Sequence, residues 1–314
     1  MFKKKKLIKL TVVIPSKNGL HLLKECLPSV VHAANKAQNK VHIVVVDDNS
    51  EDNTLKIAPK LFPSVVFLAN KGNGTCSARN MGAHAFTCDW LVFLDNDVQL
   101  EPSFFNTLST YLREDIFCVS CAGYLASSKQ QIDGIKLLEW KRGILRFTQN
   151  IFNTNLPDMS IPYPTLGIQG AYFACNRIQF DELGGFDELF EPYMLEETDL
   201  AYNGLKQGWK IIYAPNTKPL HKCGSTIQSK TNPYTQQLAK RNRILFVWKN
   251  IHSPLLLANH WGWVLIRFQF KAIWQAWKQW KHKKPSLKKD FILSDYELLK
   301  ESKLLVKRFK GDKR

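Results

Sequence analysis

Phe93-Leu94-Asp95-Asn96-Asp97 is the stretch on which the fold turns. An apolar run, residues 91–94, stops abruptly at two carboxylates separated by one residue. The run has the length of a buried parallel strand. The carboxyl end of such a strand is where open α/β sheets hold ligands. Two carboxylates this close repel each other unless a cation lies between them, or between one of them and a ligand. Few, hard oxygen ligands beside a phosphate suit Mg2+ or Mn2+. A lone D-x-D also occurs in ordinary surface turns, so its neighbours in the chain must carry the reading.

Those neighbours alternate strand and helix signals. Residues 10–14 form an apolar run halted by Pro15, and residues 20–34 carry apolar side chains at helical spacing. A β-branched run, residues 41–46, ends in Asp47-Asp48-Asn49-Ser50. A short helix is expected over 54–61, a strand over 65–68, a Gly-rich loop over 70–74, a helix over 76–86 and a strand over 90–94. Such alternation implies an α/β fold: a parallel sheet covered by helices on both faces. Right-handed crossovers then bring the loops at 15–18, 47–50, 70–75 and 95–97 to one edge, around one crevice. After a strand at 117–121 the pattern weakens, and residues 124–165 read as a long, partly mobile segment over an active site. Order returns at 170–175; a helix over 178–183 stops at Gly184-Gly185, and another over 198–206 is closed by Gly208.

Composition narrows the class. The 314 residues are 45% hydrophobic and 12% aromatic, which describes a globular protein. The net charge of +17 is uneven: residues 221–314 hold 21 Lys/Arg against 5 Asp/Glu, whereas the first 220 are nearly neutral. A basic C-terminal third implies an anionic partner, nucleic acid or a membrane. The chain has seven cysteines, and no apolar segment of signal type follows its basic start, so reduced thiols and a cytoplasmic setting are expected. Cys118 and Cys121, a lone C-x-x-C within a strand, read as small buried residues rather than as zinc ligands. No apolar stretch reaches the roughly 18 residues of a spanning helix.

Val12-Val13-Ile14-Pro15-Ser16-Lys17-Asn18, Val46-Asp47-Asp48-Asn49-Ser50, Ala78-Arg79-Asn80-Met81-Gly82 and the Asp95–Asp97 stretch follow one another in that order. Gly184-Gly185-Phe186-Asp187-Glu188, Glu196-Glu197-Thr198-Asp199-Leu200 and His221 continue the series. Together they resemble the family 2 glycosyltransferases, over about residues 10–225. Arg241-Asn242-Arg243 and Phe246-Val247-Trp248-Lys249-Asn250 extend the likeness to bacterial surface-polysaccharide enzymes of rhamnosyltransferase type. The resemblance implies a GT-A fold (Rossmann-like, with a mixed, mainly parallel sheet flanked by helices), a nucleoside-diphosphate sugar as donor, Mg2+ or Mn2+ as cofactor, and inversion at the anomeric carbon. It also implies that Asp97 binds the metal, that Asp95 lies toward the ribose beside it, and that His221 is a second protein contact to metal or diphosphate.

The residues support roles of this kind. A nucleobase needs an acceptor for its N–H, which Asp48 can supply, with Pro15 and Ser16 bordering the pocket; the same acidic turn would also cap a helix. An inverting transfer needs a base on the acceptor side to take the hydroxyl proton. The family has Glu-Asp where this chain has Glu196-Glu197, so the role carries over to Glu197, with Glu196 as the alternative. Asp199 is expected to orient the following helix or the acceptor loop. Arg79 either faces the donor or forms a structural ion pair. Gly170 and Ala171 are small where the sugar must fit, and Trp209 reads as packing.

The chain thus divides into a catalytic domain, residues 1–225, and a basic, Trp-rich helical extension, residues 226–314. Wound as one helix over 263–280, Trp263, Ile266, Phe270, Ile273, Trp274, Trp277 and Trp280 fall on one arc, flanked by Arg267, Lys271 and Lys278. Lys281-His282-Lys283-Lys284 follows, and lysines 3–6 can join the same basic surface. This describes a helix lying on an anionic membrane surface. Nothing else resembles a nucleic-acid fold. The expectation is a peripheral glycosyltransferase on the inner face of a bacterial cell membrane, acting on a glycan or lipid-linked acceptor in polysaccharide or lipopolysaccharide synthesis. Its rivals are a catalytically degenerate glycan- or lipid-binding protein and a nucleotidyltransferase. A nicotinamide-dependent oxidoreductase would need G-x-G-x-x-G after the first strand, where Pro15-Ser16-Lys17-Asn18 stands instead.

Overall fold

A computed structural model describes residues 7–222, 232–267, 269–283 and 290–310. Lysines 3–6 and Lys284 lie outside the described residues. The chain begins as β1 (Lys9–Ser16), α1 (Leu20–Lys36), β2 (Lys40–Asp47), α2 (Thr54–Leu61), β3 (Val66–Ala69), α3 (Thr75–Ala83) and β4 (Trp90–Leu94). It continues with β5 (Val98–Gln99), α4 (Phe104–Ser109), β6 (Ile116–Cys121), β7 (Tyr124–Leu125), β8 (Ile135–Lys141), β9 (Ile144–Ile151) and β10 (Tyr163–Pro164). Then come β11 (Tyr172–Asn176), α5 (Arg177–Leu183), α6 (Glu196–Lys206), β12 (Lys210–Ala214) and β13 (Leu220–His221). The helices α7 (Pro233–Asn250), α8 (Pro254–Ile266), α9 (Phe270–Lys283) and α10 (Asp295–Lys310) close the chain.

The main sheet has eight strands in the order β10-β12-β6-β11-β4-β1-β2-β3. The pairs among β3, β2, β1 and β4 are parallel, while β11 runs antiparallel between β4 and β6. The sheet is therefore mixed and mainly parallel, as the resemblance implied; alternation alone did not show that β11 would be reversed. Side chains alternate faces along each strand. Val13, Val46 and Phe93 meet α3 and α5 on one face; Val12, Val45 and Val92 meet α1 and α4 on the other. The chain leaves β1 toward β2 and β3, then returns to place β4 on the other flank of β1. The crevice at that reversal lies between the ends of β1 and β4, at Ser16 and Asp95. Beneath it Phe93 packs against Phe173, Phe180 and Phe186, with centroids 5.0, 5.6 and 5.0 Å away. Such ring pairs contribute about 0.5–1.5 kcal/mol each beyond their buried area, so the floor of the crevice is stiff.

Local signals set the element ends. The Asn176 side chain accepts from the N–H groups of Ile178 and Gln179 and caps α5, and Gly184 ends it in the left-handed region at φ 82°. Asn232 and Ser253 cap α7 and α8, each followed by Pro at the first helical position. Cys118 and Cys121 are both buried on β6 but belong to opposite faces of the sheet.

Two expectations are corrected. Residues 124–165 are an ordered part of the core rather than a mobile cover: β8 and β9 form an antiparallel hairpin, and Leu137, Leu138 and Leu145 are buried. Its alternation was obscured because both faces are covered, one by α10 through Ser302, whose hydroxyl is bonded to the backbone N–H and carbonyl of Leu138. Nor is 263–280 one helix. The end of α8 docks on the hairpin, where His260 Nδ1 meets the Gly143 carbonyl at 2.7 Å and Trp140 Nε1 donates to Asn259 at 3.0 Å. α9 instead docks on α7, so the arc of apolar residues is divided between two surfaces.

The helices after residue 226 also join the main core, which includes Leu245, Val247, Leu256, Ala276, Leu298 and Leu305. No helix among the described residues is long and apolar enough to cross a membrane.

Candidate functional site

The ends of β1, β2 and β4 open into a cleft of about 970 Å3. All the donor-side residues expected from the sequence except Arg79 line it: Pro15, Ser16, Asp48, Asp95, Asp97 and His221. β13 pairs antiparallel with β5, placing His221 opposite Val98, next in the chain to Asp97. The Lys222 N–H donates to the Asp97 carbonyl at 3.2 Å and fixes that approach. His221 Nε2 lies 3.0 Å from Asp97 Oδ1. Burial alone would lower the His221 pKa, but its hydrogen bond to Asp97 and the charges of Asp97 and Asp95 outweigh that and raise it.

One ligand atom each from Asp95, Asp97 and His221 lie within 4.8 Å of one another. Two carboxylate oxygens and an imidazole nitrogen, converging on an open cleft, fit a six-coordinate divalent ion that keeps positions for a ligand. An imidazole in the set favours Mn2+ over Mg2+, which prefers oxygen alone.

At the other end of the cleft Asp48 Oδ1 accepts from the Gly74 N–H at 2.9 Å and from Asn70 Nδ2 at 2.7 Å. Gly74 has φ 120°, a backbone that side-chain-bearing residues rarely adopt, so the Gly-rich loop can turn its N–H onto Asp48. Oδ2 of Asp48 lies 3.6 Å from Lys17 Nζ. This rigid backing leaves a carboxylate oriented at the cleft wall rather than capping α2, whose start is bonded by Asp52.

The second acid cluster stands behind the cleft, and none of its members lines it. Arg79 is the link. It is only 2% exposed, and its Nη1 donates to Glu196 at 3.0 Å while Nη2 donates to Asp95 and to the Gly170 carbonyl, both at 2.9 Å. Of the two roles left open for Arg79, the structure places it in the ion pair and away from the cleft lining. Burial, then the charge of neighbouring Glu197, raise the Glu196 carboxyl to about 7 against the pull of Arg79. Glu197 is less buried and lies against Gly170, where a Cβ would stand 3.2 Å from its Cγ. The next residue, Ala171, accepts the Asp95 N–H at 2.9 Å. One dipeptide thus bridges the two carboxylate groups.

Asp199 does not join them. It turns to α7, accepting from Lys249 Nζ at 2.7 Å and Asn250 Nδ2 at 2.8 Å, because Lys249 is itself buried and needs a counter-charge. These contacts tie the first turn of α6 to the end of α7 and leave neither carboxylate oxygen of Asp199 without a donor.

Three contributors escaped sequence reasoning. Lys136 on β8 donates to the Ile168 carbonyl at 2.7 Å; burial lowers its pKa while the charges of Glu197 and Asp133 oppose that shift. Glu191 lines the cleft and accepts from the Ser77 N–H at 3.1 Å. Asn242 on α7 is fully buried and its Nδ2 donates to the carbonyls of Phe190, Tyr193 and Met194 at 3.0, 3.0 and 2.7 Å. Only Asn242 left a trace in the sequence, inside Arg241-Asn242-Arg243; Lys136 and Glu191 stand in stretches without a motif, and their partners Ile168 and Ser77 lie 32 and 114 residues away, where spacing is silent.

Comparison with known proteins places this geometry. The family model described as Glycosyl transferase family 2 matches residues 11–183, more than half of the chain. An N-acetylglucosaminyl-diphospho-decaprenol L-rhamnosyltransferase of Mycobacterium tuberculosis is 26% identical over 216 residues, covering 59% of this chain and 67% of that one. Against the first of the curated relatives it matches, the chain spans about a third of their length. Among solved structures, GalNAc-T7 with UDP, GalNAc and Mn2+ superposes with a TM-score of 0.61 at 19% identity, over 78% of this chain and 48% of that one. The mannosyltransferase PcManGT from Pyrobaculum calidifontis, in complex with GDP-Man and Mn2+, gives 0.54 at 16% identity, over 97% and 83%. At these identities the structures speak for the fold, which is GT-A.

Proposed function

The chain belongs to glycosyl transferase family 2, and from that premise we propose that it moves a sugar, with inversion, from a nucleoside diphosphate to a hydroxyl of a glycan or lipid-linked acceptor. The observation that carries this reading is the cleft itself. It holds the Asp95, Asp97 and His221 cluster at one end and the braced Asp48 at the other, with an acid pair joined to the first through Gly170-Ala171. The solved neighbours named above hold UDP or GDP-Man with Mn2+ in similar folds.

In this reading Asp48 accepts a base N–H, and Pro15 and Ser16 border the nucleoside. Asp97 and His221, with Asp95 beside them toward the ribose, would hold a divalent cation. A divalent cation there supplies Lewis-acid neutralisation of the charge that develops on the departing diphosphate. Glu197 takes the proton of the acceptor hydroxyl as the anomeric carbon is attacked. Arg79 holds Asp95 and the Glu196 side chain in fixed relation, so both sides of the reaction rest on one buried cation.

The setting we assign is bacterial surface-polysaccharide or lipopolysaccharide synthesis, on the cytoplasmic side of the cell membrane. Phe270, Trp274 and Trp277 stand exposed on one face of α9 among lysines, which supports attachment to an anionic membrane surface. The relative that acts on a diphospho-decaprenol supports a lipid-linked acceptor.

A panel of nucleotide sugars, screened by thermal shift with and without Mn2+, tests the reading. At about 100 times Kd a donor raises stability by about 2.7 kcal/mol. One nucleotide is expected to stand out, only with metal, and Asp97→Ala is expected to lose both that shift and transfer. Full turnover by Asp97→Ala, or no nucleotide shift at all, overturns the proposal.

A further inference from the structure

α7 and α9 meet along a narrow seam. Small Ala272 and Ala276 are buried in it, and Gln237 Nε2 donates across it to Gln275 at 2.8 Å. Beside the seam the helices part and leave a second cavity of about 700 Å3. Tyr234, Arg241, Gln279 and His282 line both this cavity and the donor cleft, so the two run together.

The lining of the second cavity has one sign. Arg241, Lys278 and Lys281 face it, and no described residue in its wall is acidic. Among the described residues no acid side chain pairs with these three, although Arg241 also donates to the Glu191 carbonyl and to Asn242, whereas Lys283 next door is bound by Glu188 and Glu191. The two lysines are instead placed over indoles: Lys278 Nζ is 5.2 Å from the Trp274 ring centroid and Lys281 Nζ 4.0 Å from that of Trp277. Aromatic faces hold an ammonium without neutralising it for an incoming anion. Trp274 of the wall is 57% exposed, and beyond the wall on the same helix Trp277 and Phe270 are 49% and 58% exposed, an apolar outer flank.

We propose that this groove is the acceptor subsite and takes the diphosphate of an acceptor whose isoprenoid tail lies in a bilayer. The proposal rests on the transferase reading and adds to it the place and chemistry of acceptor binding. Unneutralised cations meet the diphosphate, the aromatic rim sits at headgroup level, and the confluence with the donor cleft lets the sugar beyond the diphosphate reach the donor.

The test uses the full chain in EDTA without nucleotide, so that neither the metal cluster nor the donor takes part. Farnesyl diphosphate is the probe and inorganic pyrophosphate its tail-less counterpart, read by tryptophan fluorescence. Saturable quenching by farnesyl diphosphate is expected, with pyrophosphate at least tenfold weaker. The double variant Lys278→Glu/Lys281→Glu should weaken the probe tenfold or more, and Trp274→Ala should do so through the rim if the first variant fails to fold. Absence of binding by the unaltered protein, equal affinity in the folded variants, or pyrophosphate binding as tightly as the probe would each overturn the groove assignment. Failure of the nucleotide panel with Mn2+ bears on the transferase reading alone, because the probe contains no nucleotide.

Discussion

Arg79 is the residue that ties the two carboxylate groups together. A guanidinium offers donors in a fixed fork, and here the fork spends them on Glu196, Asp95 and the Gly170 carbonyl. Held in this way, Glu196 is poorly placed to serve as a base, and the less buried Glu197 remains the candidate. Glu197→Gln is expected to bind nucleotide and Mn2+ normally and to lose at least two orders of magnitude in transfer, within the range for general-base catalysis. Glu196→Gln is expected to keep most of the transfer rate. Rates measured at saturating donor separate the two, and the reverse order would move the base to Glu196. The Glu196 carboxyl adds a pH signature. Because its folded pKa is raised from 4.5 to about 7, the folded chain holds a proton that the unfolded chain releases between these values. Its contribution to stability is therefore largest below 4.5 and falls as pH rises toward 7.

Among the elements, α6 depends most on a neighbour. Met194 and Leu195, just before it, both have positive φ, 79° and 74°, without being glycine. Each such residue costs about 1–3 kcal/mol and persists only where its surroundings impose it. Asn242 imposes it by donating to three carbonyls of that loop from inside α7. The acids that start α6 are aimed by this clamp. Asn242→Ala leaves buried acceptors unpaired at about 1–3 kcal/mol. The expected result is a lower melting temperature together with a fall in kcat that exceeds any change in Mn2+-dependent nucleotide binding. A variant that melts lower yet turns over normally would show that the clamp serves folding alone.

Across the whole molecule the C-terminal helices are tied in by buried charge. Lys206 of α6 pairs with Asp295 of α10 at 2.8 Å, and Asp295 also accepts from Tyr202 and from the His252 and Ser253 N–H groups. Burial alone would raise the Asp295 carboxyl, but the Lys206, Tyr202 and backbone hydrogen bonds outweigh it and hold it below its usual value. The unfolded chain then binds a proton at higher pH than the folded one. The stabilisation is present above the ordinary carboxylate value of about 3.9 and is lost as pH falls below it. Asp295→Asn is expected to cost about 3–5 kcal/mol at neutral pH, since it strands a buried lysine, and to flatten the acid limb of a denaturation profile. An unchanged acid limb would remove Asp295 from that account.

Much of this was legible along the chain. The β-branched run of β2, the strand that ends at Asp95 and the stop at Gly184 are local signals, set by propensity, periodicity and turn chemistry. They place the Asp95 and Asp97 carboxylates at a sheet edge. The approach of His221 to Asp97 followed only from resemblance, because it depends on β13 pairing with β5 across more than a hundred residues. Periodicity shows that a face is apolar but not what covers it, so along the chain the hairpin of β8 and β9 reads as a mobile cover and the arc over 263–280 as one helix. Which acids are spent in ion pairs was equally hidden, since Arg79 and Lys249 find their carboxylates only once separate elements pack. The sequence by itself determined the sheet and the chemistry at its edge. The tertiary structure decided which acids stay available and where the basic end docks, because burial and charge pairing are properties of packed elements and not of the chain order.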